Sequence, residues 1–425
     1  MKAKDKKQKV EWKKLDNASK IFPATSNNKD TKVYRLAAEL YSDVDPESLQ
    51  KALDLTLRSF PMYRFVLRRG FFWYYFESSD IYPKVELEST SPCSPIYIRG
   101  GKNLLFRIFY YKKRISLEAF HALSDGVGAI WFLETLIFHY MKIVHKEELG
   151  EEIPSFEYGA SISQKMADSF WKNYTPKIQS AHLKKEENKS AYKIRGKKLD
   201  ENRMRVIEGA LSVEALLKLS REYGANITVF LTALLLYSIY LDMPKNKNKK
   251  PIVLSVPINL RSYFNSSTAR NFFTTMNVGY DFQSSSHEFK DIVGLVSKKF
   301  KEELTEENIQ LKLAKYMKLE NNPVARIAPL TIKDIFMKIG NRFNDKKISS
   351  SISNIGKIKT AKEFEDYIKQ FSVCISARAP KLTFCSYGDR LVLSFTSPFV
   401  ETDIQREFFQ FLSKKGIEIE ITSNI

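Results

Sequence analysis

The first part of the chain combines one clear helix signature with several strand-like stretches. Asp45-Pro46-Glu47 provides an N-cap, a proline at the first helical position and an acid in the first turn, and apolar residues at helical spacing follow until Pro61. The stretch from Ala129 onward is apolar on most faces, which predicts a buried helix. Between these helices, apolar runs bounded by basic or glycine turns predict strands at 62–67, 71–76, 104–111 and 115–121.

The later part of the chain mixes helices and strands in the same way. No glycine fingerprint of a parallel nucleotide-binding unit and no short-period repeat is present, which favours an α+β fold in two comparable halves. We place an N-terminal half at 1–160, a polar crossover linker at 161–205 and a C-terminal half at 206–425. In the C-terminal half the pattern predicts helices at 212–223, 228–241, 287–304 and 402–413, and strands at 252–257, 349–356, 373–377 and 417–422, with a hairpin around 387–389.

Composition narrows the class of protein. The 425 residues are 43% hydrophobic and 13% aromatic, which is enough apolar surface for sizeable cores and excludes a disordered chain. Sixty-eight Lys and Arg against 49 Asp and Glu give a net charge of +19, which calls for an anionic partner or a strongly solvated surface. The basic residues are dispersed and no nucleic-acid motif accompanies them, so a nucleic-acid partner is not expected.

The location of the protein follows from the same survey. The basic N-terminus has no apolar run behind its charges, so we do not expect a secretory signal. The longest apolar stretch, 229–241, is shorter than the roughly 20 residues that cross a bilayer. Three cysteines do not make a disulfide framework. We expect a cytoplasmic monomer without a transmembrane segment, in which peripheral contact with an anionic membrane is compatible with the charge.

One histidine stands out as a candidate for chemistry. The chain has five histidines, and no pair has the spacing of a zinc helix, so we expect no metal site. His121 ends a predicted strand, just before Asp125-Gly126 and the buried helix. A histidine held at a strand end can act as a general base near neutral pH. The alternative from residue types alone is a core histidine followed by a helix capped by Asp125.

The segment His121-Ala-Leu-Ser-Asp125-Gly126 resembles the HxxxDG motif of the chloramphenicol acetyltransferase-like superfamily. That group includes plant BAHD acyltransferases, wax ester synthases, alcohol O-acetyltransferases and the condensation domains of peptide synthetases. Further segments resemble it across nearly the whole chain: 58–65 (RSFPMYRF), 256–264 (VPINLRSYF), 271–276 (NFFTTM), and 351–358 (SISNIGKI) as the strand swapped between halves. The C-terminal tail is most similar to bacterial alcohol acetyltransferases.

The resemblance implies a fold and a site. The fold would be two chloramphenicol acetyltransferase-like subdomains, each a mixed sheet with flanking helices, around a central active-site tunnel. His121 would be the general base. Asp125 would turn away from it and pair with an arginine, either Arg64 or Arg261, so that these residues and Gly126 support the catalytic loop. Asn354 and Asn271 are candidates for an oxyanion donor or for lining the tunnel. Neither a metal nor a bound cofactor is implied.

Two departures from the family pattern narrow the activity. Condensation domains usually carry two adjacent histidines, whereas the first position here is Phe120, and the plant BAHD motif DFGWG is missing. The resemblance therefore implies transfer of an acyl group, expected to be acetyl, from acyl-CoA as co-substrate to the hydroxyl of a small alcohol, or less readily to an amine. Two alternatives stay open: a carrier-protein-dependent, condensation-like acyltransferase, and a catalytically silent binding protein on the same fold.

Overall fold

The computed structural model describes residues 11–150, 160–174, 190–200, 203–244 and 250–425. In these ranges the strands are β1 (Trp12–Lys14), β2 (Val33–Leu40), β3 (Phe65–Arg69), β4 (Tyr74–Ser78), β5 (Val85–Leu87), β6 (Phe106–Tyr111), β7 (Arg114–Phe120), β8 (Arg205–Ser212), β9 (Ile252–Asn259), β10 (Phe273–Tyr280), β11 (Ser350–Lys357), β12 (Ile368–Ile375), β13 (Lys381–Tyr387), β14 (Arg390–Ser397) and β15 (Glu420–Ser423).

The helices of the same ranges surround these strands. They are α1 (Ile21–Thr25), α2 (Pro46–Ser59), α3 (Gly126–Val144), α4 (Lys146–Leu149), α5 (Ile162–Lys165), α6 (Ser169–Lys172), α7 (Val213–Glu222), α8 (Ile227–Asp242), α9 (Arg261–Phe264), α10 (Phe289–Glu303), α11 (Glu306–Glu320), α12 (Pro323–Ile327), α13 (Leu330–Lys346) and α14 (Asp403–Lys414).

Two large mixed sheets organise the fold. One has five strands in the order β12-β2-β7-β6-β5, and the other has seven in the order β10-β9-β11-β13-β14-β8-β15. A small third sheet, β1-β4-β3, contains the predicted hairpin. Each large sheet packs against its own hydrophobic core, the first with α2 and α3 and the second with α8, α10 and α14. The α+β prediction with two subdomains is confirmed.

One strand crosses between the subdomains, and it is not the one that the sequence suggested. The segment 351–358 was expected to be the swapped strand, but β11 lies inside the seven-stranded sheet, parallel to both β13 and β9. The crossing strand is β12, which pairs antiparallel with β2 so that Val373 lies opposite Leu36. The five-stranded sheet thus includes residues from the predicted C-terminal half, and the predicted boundaries do not separate the two sheets.

Capping residues explain why several helices begin and end where the sequence predicted. The carboxylate of Asp45 accepts a hydrogen bond from the Ser48 amide at the start of α2, and the Ser212 hydroxyl accepts one from the Ala215 amide at the start of α7. Gly416 follows α14 with a φ of +82°, the left-handed conformation in which glycine commonly ends a helix.

The region between α10 and β11 held elements that sequence reasoning missed. Residues 306–346 form the helices α11, α12 and α13, for which no prediction was made. In the crossover linker, α5 and α6 lie in the described part, and the buried side chain of Phe170 packs into the second core. Residues 175–189 and 201–202 of the linker lie outside the described residues, as does most of the lysine-rich loop at 244–250.

The helix α3 is long, at 19 residues, and apolar. By length and composition it could cross a membrane, and α7 with α8 would pass the same test together were they not bent by 76°. In the fold, 61% of the apolar stretch of α3 is buried, and it packs against α2 and β2. Such burial is typical of the core helix of a soluble protein.

Candidate active site

His121 directly follows β7 and lies where the two subdomains meet. Its backbone amide donates to the Lys32 carbonyl at 2.8 Å, which extends the pairing of β7 with β2 by one residue. Its ring is stacked on Phe22, with centroids 4.3 Å apart, and contacts the edge of Tyr34 at 5.2 Å. Phe273, the first residue of β10 in the other sheet, approaches to 5.6 Å. Aromatic side chains from both subdomains therefore hold the ring.

Asn271 fixes the tautomer of that ring. The Asn271 side-chain amide donates to the His121 carbonyl and to the Ser19 hydroxyl, both at 2.9 Å. Because the nitrogen end of the carboxamide is placed by these acceptors, the oxygen end must be the atom that lies 3.1 Å from His121 Nδ1. Oxygen accepts only, so Nδ1 carries the proton and Nε2 carries the lone pair.

The surroundings of His121 keep the imidazole neutral. Burial lowers the pKa of His121 below its usual value of 6.5, because the cation loses hydration among the aromatic rings. The Nε2 atom has no hydrogen-bond partner among the described residues, and the side chain is only partly buried. A neutral, partly buried imidazole with an unpaired Nε2 has the properties of a general base rather than of a core histidine.

A buried polar chain continues from Asn271 to a carboxyl group. The Ser19 hydroxyl, which accepts from Asn271, donates to Asp16 Oδ1 at 2.6 Å, and the Ser19 amide donates to the same oxygen at 2.8 Å. Asp16 Oδ2 has no hydrogen bond and lies 3.5 Å from an Arg270 nitrogen. Burial raises the pKa of Asp16 to about 6 despite this arginine. No sequence pattern pointed to Ser19 or Asp16, which lie about 250 residues from Asn271.

Asp125 faces away from His121 and forms a buried ion pair with Arg261. The guanidinium nitrogens of Arg261 contact the two carboxylate oxygens at 2.8 and 2.9 Å. The same carboxylate accepts from the amides of Gly128 at 3.0 Å and Phe272 at 2.9 Å. Arg261 also donates to the carbonyls of Thr268 and Arg270 and to the side-chain oxygen of Asn259, so its remaining hydrogen bonds stay within the second subdomain. The pair ties the loop of residues 121–126 to the segment that carries Asn271.

The other arginine candidate, Arg64, does not reach Asp125. It ends a short 3-10 turn before β3, its carbonyl accepts from the Ser79 amide, and its side chain forms no ion pair with any described residue. Arg261 is therefore the partner that the sequence left undecided, and Arg64 is not part of the loop's support.

The two asparagine candidates differ in position. Asn271 is buried, and its amide donates to the His121 carbonyl and to the Ser19 hydroxyl, so it positions His121 and has no donor left for an oxyanion. Asn354 lies exposed on β11, where its amide donates to the Thr228 hydroxyl at 2.9 Å. Its neighbour Ile355 reaches the motif loop beside Gly126, which places β11 next to that loop.

A glycine outside the six-residue motif lies very close to the backbone of the other subdomain. A Cβ on Gly128 would lie 2.0 Å from the Ala269 carbonyl oxygen, which already accepts from the Ser124 hydroxyl at 2.7 Å. A Cβ on Gly126 would meet only the end of the Ile355 side chain, at 3.0 Å. Sequence reasoning singled out Gly126, yet Gly128 is the glycine that the contact requires. Within the described residues, no group of three or more His, Cys, Asp or Glu side chains could hold a metal ion.

Comparison with known proteins places this geometry in a fold family. Polyketide synthase associated protein 5 from Mycobacterium tuberculosis matches with a TM-score of 0.63 and 13% identity over 94% of this chain and 96% of its own. TRI3 trichothecene 15-O-acetyltransferase from Fusarium sporotrichioides matches with a TM-score of 0.64 and 11% identity over 94% of this chain and 93% of its own. The starter condensation domain of rhizomide synthetase matches with a TM-score of 0.64 and 11% identity over 94% of both chains.

No protein-family model and no curated protein sequence matches the chain. The structural matches nevertheless cover nearly all of it. The chain therefore has the two-subdomain fold of these acyltransferase and condensation-domain structures, and the resemblance seen in the sequence is confirmed at the level of the fold.

Proposed function

We propose that the protein transfers an acyl group from acyl-CoA to an alcohol hydroxyl, with His121 as general base. The observation that carries this proposal is the Asn271 carboxamide, which holds Nδ1 of His121 protonated and leaves Nε2 free at the subdomain junction. The structural neighbours support the substrate classes: TRI101 from Fusarium sporotrichioides is complexed with coenzyme A and T-2, and the rhizomide starter domain with C8-CoA.

The reaction follows from the tautomer. Nε2 accepts the hydroxyl proton as the alcohol oxygen attacks the thioester carbonyl, which forms the new C–O bond and a tetrahedral oxyanion. Collapse of this intermediate breaks the C–S bond, and the Nε2 proton passes to the departing thiolate. Asn271 accepts from Nδ1 throughout, so the ring keeps its orientation in both protonation states. The remaining candidate for the oxyanion donor is Asn354, whose amide keeps one N–H beyond its bond to Thr228 and whose neighbour Ile355 reaches the loop at Gly126.

A thiol-release assay tests the proposal directly. Purified protein is mixed with acetyl-CoA and each of a panel of primary alcohols and amines, and free coenzyme A is measured together with the ester or amide product. We expect thiol release that depends on the alcohol and is lost in His121→Ala. Hydrolysis without ester formation, or alcohol-dependent release that survives in His121→Ala, would contradict it.

The condensation-like alternative is less well supported by the residue next to the base. Phe120 is fully buried and stacks on Tyr97 with centroids 5.0 Å apart, so its side chain belongs to the first core rather than to the site.

If the acyl donor is carried by coenzyme A, the Michaelis constant for the donor should depend on the salt concentration. Contacts to its phosphates weaken with salt, since the Debye length falls from about 10 Å at 0.1 M to about 3 Å at 1 M, so KM for acyl-CoA should rise while KM for the alcohol stays nearly constant.

A further inference from the structure

The helix α13 packs against the protein with its polar side inward. Asp334 is buried on the inner side, where the Tyr74 hydroxyl donates to it at 2.9 Å and the guanidinium groups of Arg69 and Arg99 lie within 3.6 Å. Further along, Asp345 lies 3.3 Å from Arg378. A helix on a globular protein usually buries its apolar stripe. Here only Leu330 at the start of the helix joins the hydrophobic core, and ion pairs and hydrogen bonds fix the rest of the inner side.

The apolar side of α13 is consequently exposed. Phe336 is 70% and Phe343 60% exposed, in contrast to the buried aromatic residues of the core helices. The exposed apolar residues recur three or four positions apart, so they form one stripe along the helix. We call this stripe the α13 face; its members are Ile332, Ile335, Phe336, Ile339 and Phe343. Val324 and Ile327 of α12 are also exposed just before it.

The β3–β4 turn adds aromatic residues to the α13 face. Phe71, Phe72 and Trp73 form its tip, and Phe71 is 73% exposed. The Leu330 amide donates to the Phe71 carbonyl at 2.9 Å, and Lys333 donates to the Phe72 carbonyl at 3.0 Å while its ammonium lies 3.3 Å from the Trp73 ring centroid. The turn therefore adjoins the first turn of α13. A clustered apolar surface of this kind marks an interaction site.

Basic residues accompany this apolar surface. The two acidic residues of segment 323–347 are the paired Asp334 and Asp345, whereas Lys338 and Arg342 are exposed and form no ion pair with any described residue. The six basic residues of the segment are Arg326, Lys333, Lys338, Arg342, Lys346 and Lys347. The surface is thus apolar and positively charged at once.

We propose that the α13 face and the β3–β4 tip dock on an anionic lipid bilayer. Helices that lie in the membrane interface pair an apolar face of Phe, Trp and aliphatic residues with Lys and Arg, which reach back to anionic headgroups. The Trp73 ring beside Lys333 suits the same interface, where tryptophan is enriched. A protein partner is less favoured by this surface, because charged residues are depleted from the centre of protein interfaces.

The docking surface lies close to the candidate active site. The helix α13 packs on α1, and α1 carries Phe22, whose ring stacks on His121. A docked molecule would therefore hold its catalytic base one short helix away from the membrane-facing layer. Such a placement suits an acceptor or acyl chain that partitions into lipid. This last point rests on the proposed function, whereas the docking itself does not.

Vesicle flotation of the full chain tests the proposal. Wild-type protein should float with vesicles containing phosphatidylglycerol and not with pure phosphatidylcholine. Ile335→Ser/Phe336→Ser/Phe343→Ser should lower the partition coefficient by at least about tenfold, because exposed apolar side chains supply the insertion. Lys338→Glu/Arg342→Glu should lower it by a similar factor, because each basic residue near the surface contributes to binding.

Matched control variants distinguish binding through this surface from nonspecific binding due to the net charge or to exposed apolar residues elsewhere. Leu87→Ser/Leu241→Ser/Ile421→Ser removes exposed apolar residues elsewhere, and Lys290→Glu/Lys298→Glu reverses exposed charges on α10. Both should float like wild type, with melting temperatures of all variants measured alongside. Absence of wild-type flotation overturns the proposal, as does equal loss in test and control variants. Flotation unaffected by the test variants, with a change in their sedimentation coefficient, would assign the surface to self-association instead.

Discussion

His121 and Asp125 lie four residues apart in one loop, yet their surroundings differ in nearly every respect. The Asp125 carboxylate is buried and accepts four hydrogen bonds, from Arg261, Gly128 and Phe272. The His121 ring is half-buried among aromatic rings and has one side-chain hydrogen bond, at Nδ1. One end of the loop has its polar atoms satisfied, and the other keeps a lone pair available.

This difference separates two roles that the motif alone does not distinguish. A buried ion pair whose hydrogen bonds are all made stabilises the fold, because removing either partner leaves a buried charge without a counter-charge. A neutral imidazole with an unpaired nitrogen is poised for proton transfer. Mutations at the two positions should therefore affect different quantities, stability at Asp125 and turnover at His121.

The largest effect is expected from His121→Ala. Turnover in the thiol-release assay should fall by about 10²–10⁴, because the base is removed. The melting temperature should stay close to that of wild type, since the ring makes few polar contacts. Turnover within a few-fold of wild type would remove His121 from the mechanism.

Asp125→Asn should instead act on the fold. The substitution leaves Arg261 without its charge partner in a buried site, which should lower the free energy of unfolding by about 3–5 kcal/mol. Urea denaturation measures this change. The matched variant Asp389→Asn removes a carboxylate at an exposed hairpin and should cost much less. An unchanged denaturation midpoint with lost activity would favour a direct role of Asp125 beside His121.

The buried Asp16 gives a pH dependence of definite sign. Its pKa is about 6 in the folded protein, above the usual 3.8, so the folded state binds the proton more tightly. Protonation therefore stabilises the fold as the pH falls from above 6 towards 4. Relative to Asp16→Asn, wild type should gain up to about 3 kcal/mol across this window, measured by urea denaturation at each pH. A constant difference would show that Asp16 does not titrate there.

The two glycines near Asp125 should differ in their tolerance of a methyl group. Gly128→Ala places a methyl group against the Ala269 carbonyl and should destabilise the protein by about 1–3 kcal/mol or more. Gly126→Ala meets only a flexible end of Ile355 and should cost less. Thermal melts of both variants decide this. Equal losses, or a larger loss for Gly126→Ala, would contradict the close approach at Ala269.

The smallest effect concerns the positioning residue Asn271. Asn271→Asp would place a carboxylate beside Nδ1 and should move the acid limb of the pH–rate profile to higher pH. Asn271→Ala removes a hydrogen bond that raises the pKa of His121 and should move the limb to lower pH. The expected change in kcat is about tenfold in either variant. Shifts of both variants in the same direction would indicate a structural role only.

Local signals in the sequence were sufficient for much of the fold. The helices α2, α7 and α14 have caps or stop residues and apolar stripes, so their positions were predicted closely. The helix α13 was not predicted, although its apolar residues recur at helical spacing. The sequence could not show that this apolar stripe faces outward, because the inner side is fixed by ion pairs with residues distant along the chain. The pairing of β12 with β2 likewise depends on contacts that no local pattern encodes.

The candidate site shows the same division. The motif pointed to His121 and Asp125, since both lie in one short segment. The choice between Arg64 and Arg261 needed the structure, because each is a basic residue at some distance along the chain. Ser19 and Asp16 gave no signal, as a serine and an aspartate in a polar N-terminal segment are unremarkable until the fold brings them to Asn271.

The crossing of β12 also has a consequence for how the chain folds during synthesis. The strand β2 emerges early from the ribosome, but its neighbour β12 is more than 300 residues further along, as the Gln370–Glu39 hydrogen bond shows. The five-stranded sheet is therefore left with an unpaired edge until most of the chain has been made. Contacts of such long sequence separation slow folding and expose strand edges to aggregation. Truncation before β12 should accordingly yield an insoluble first subdomain rather than an independent domain.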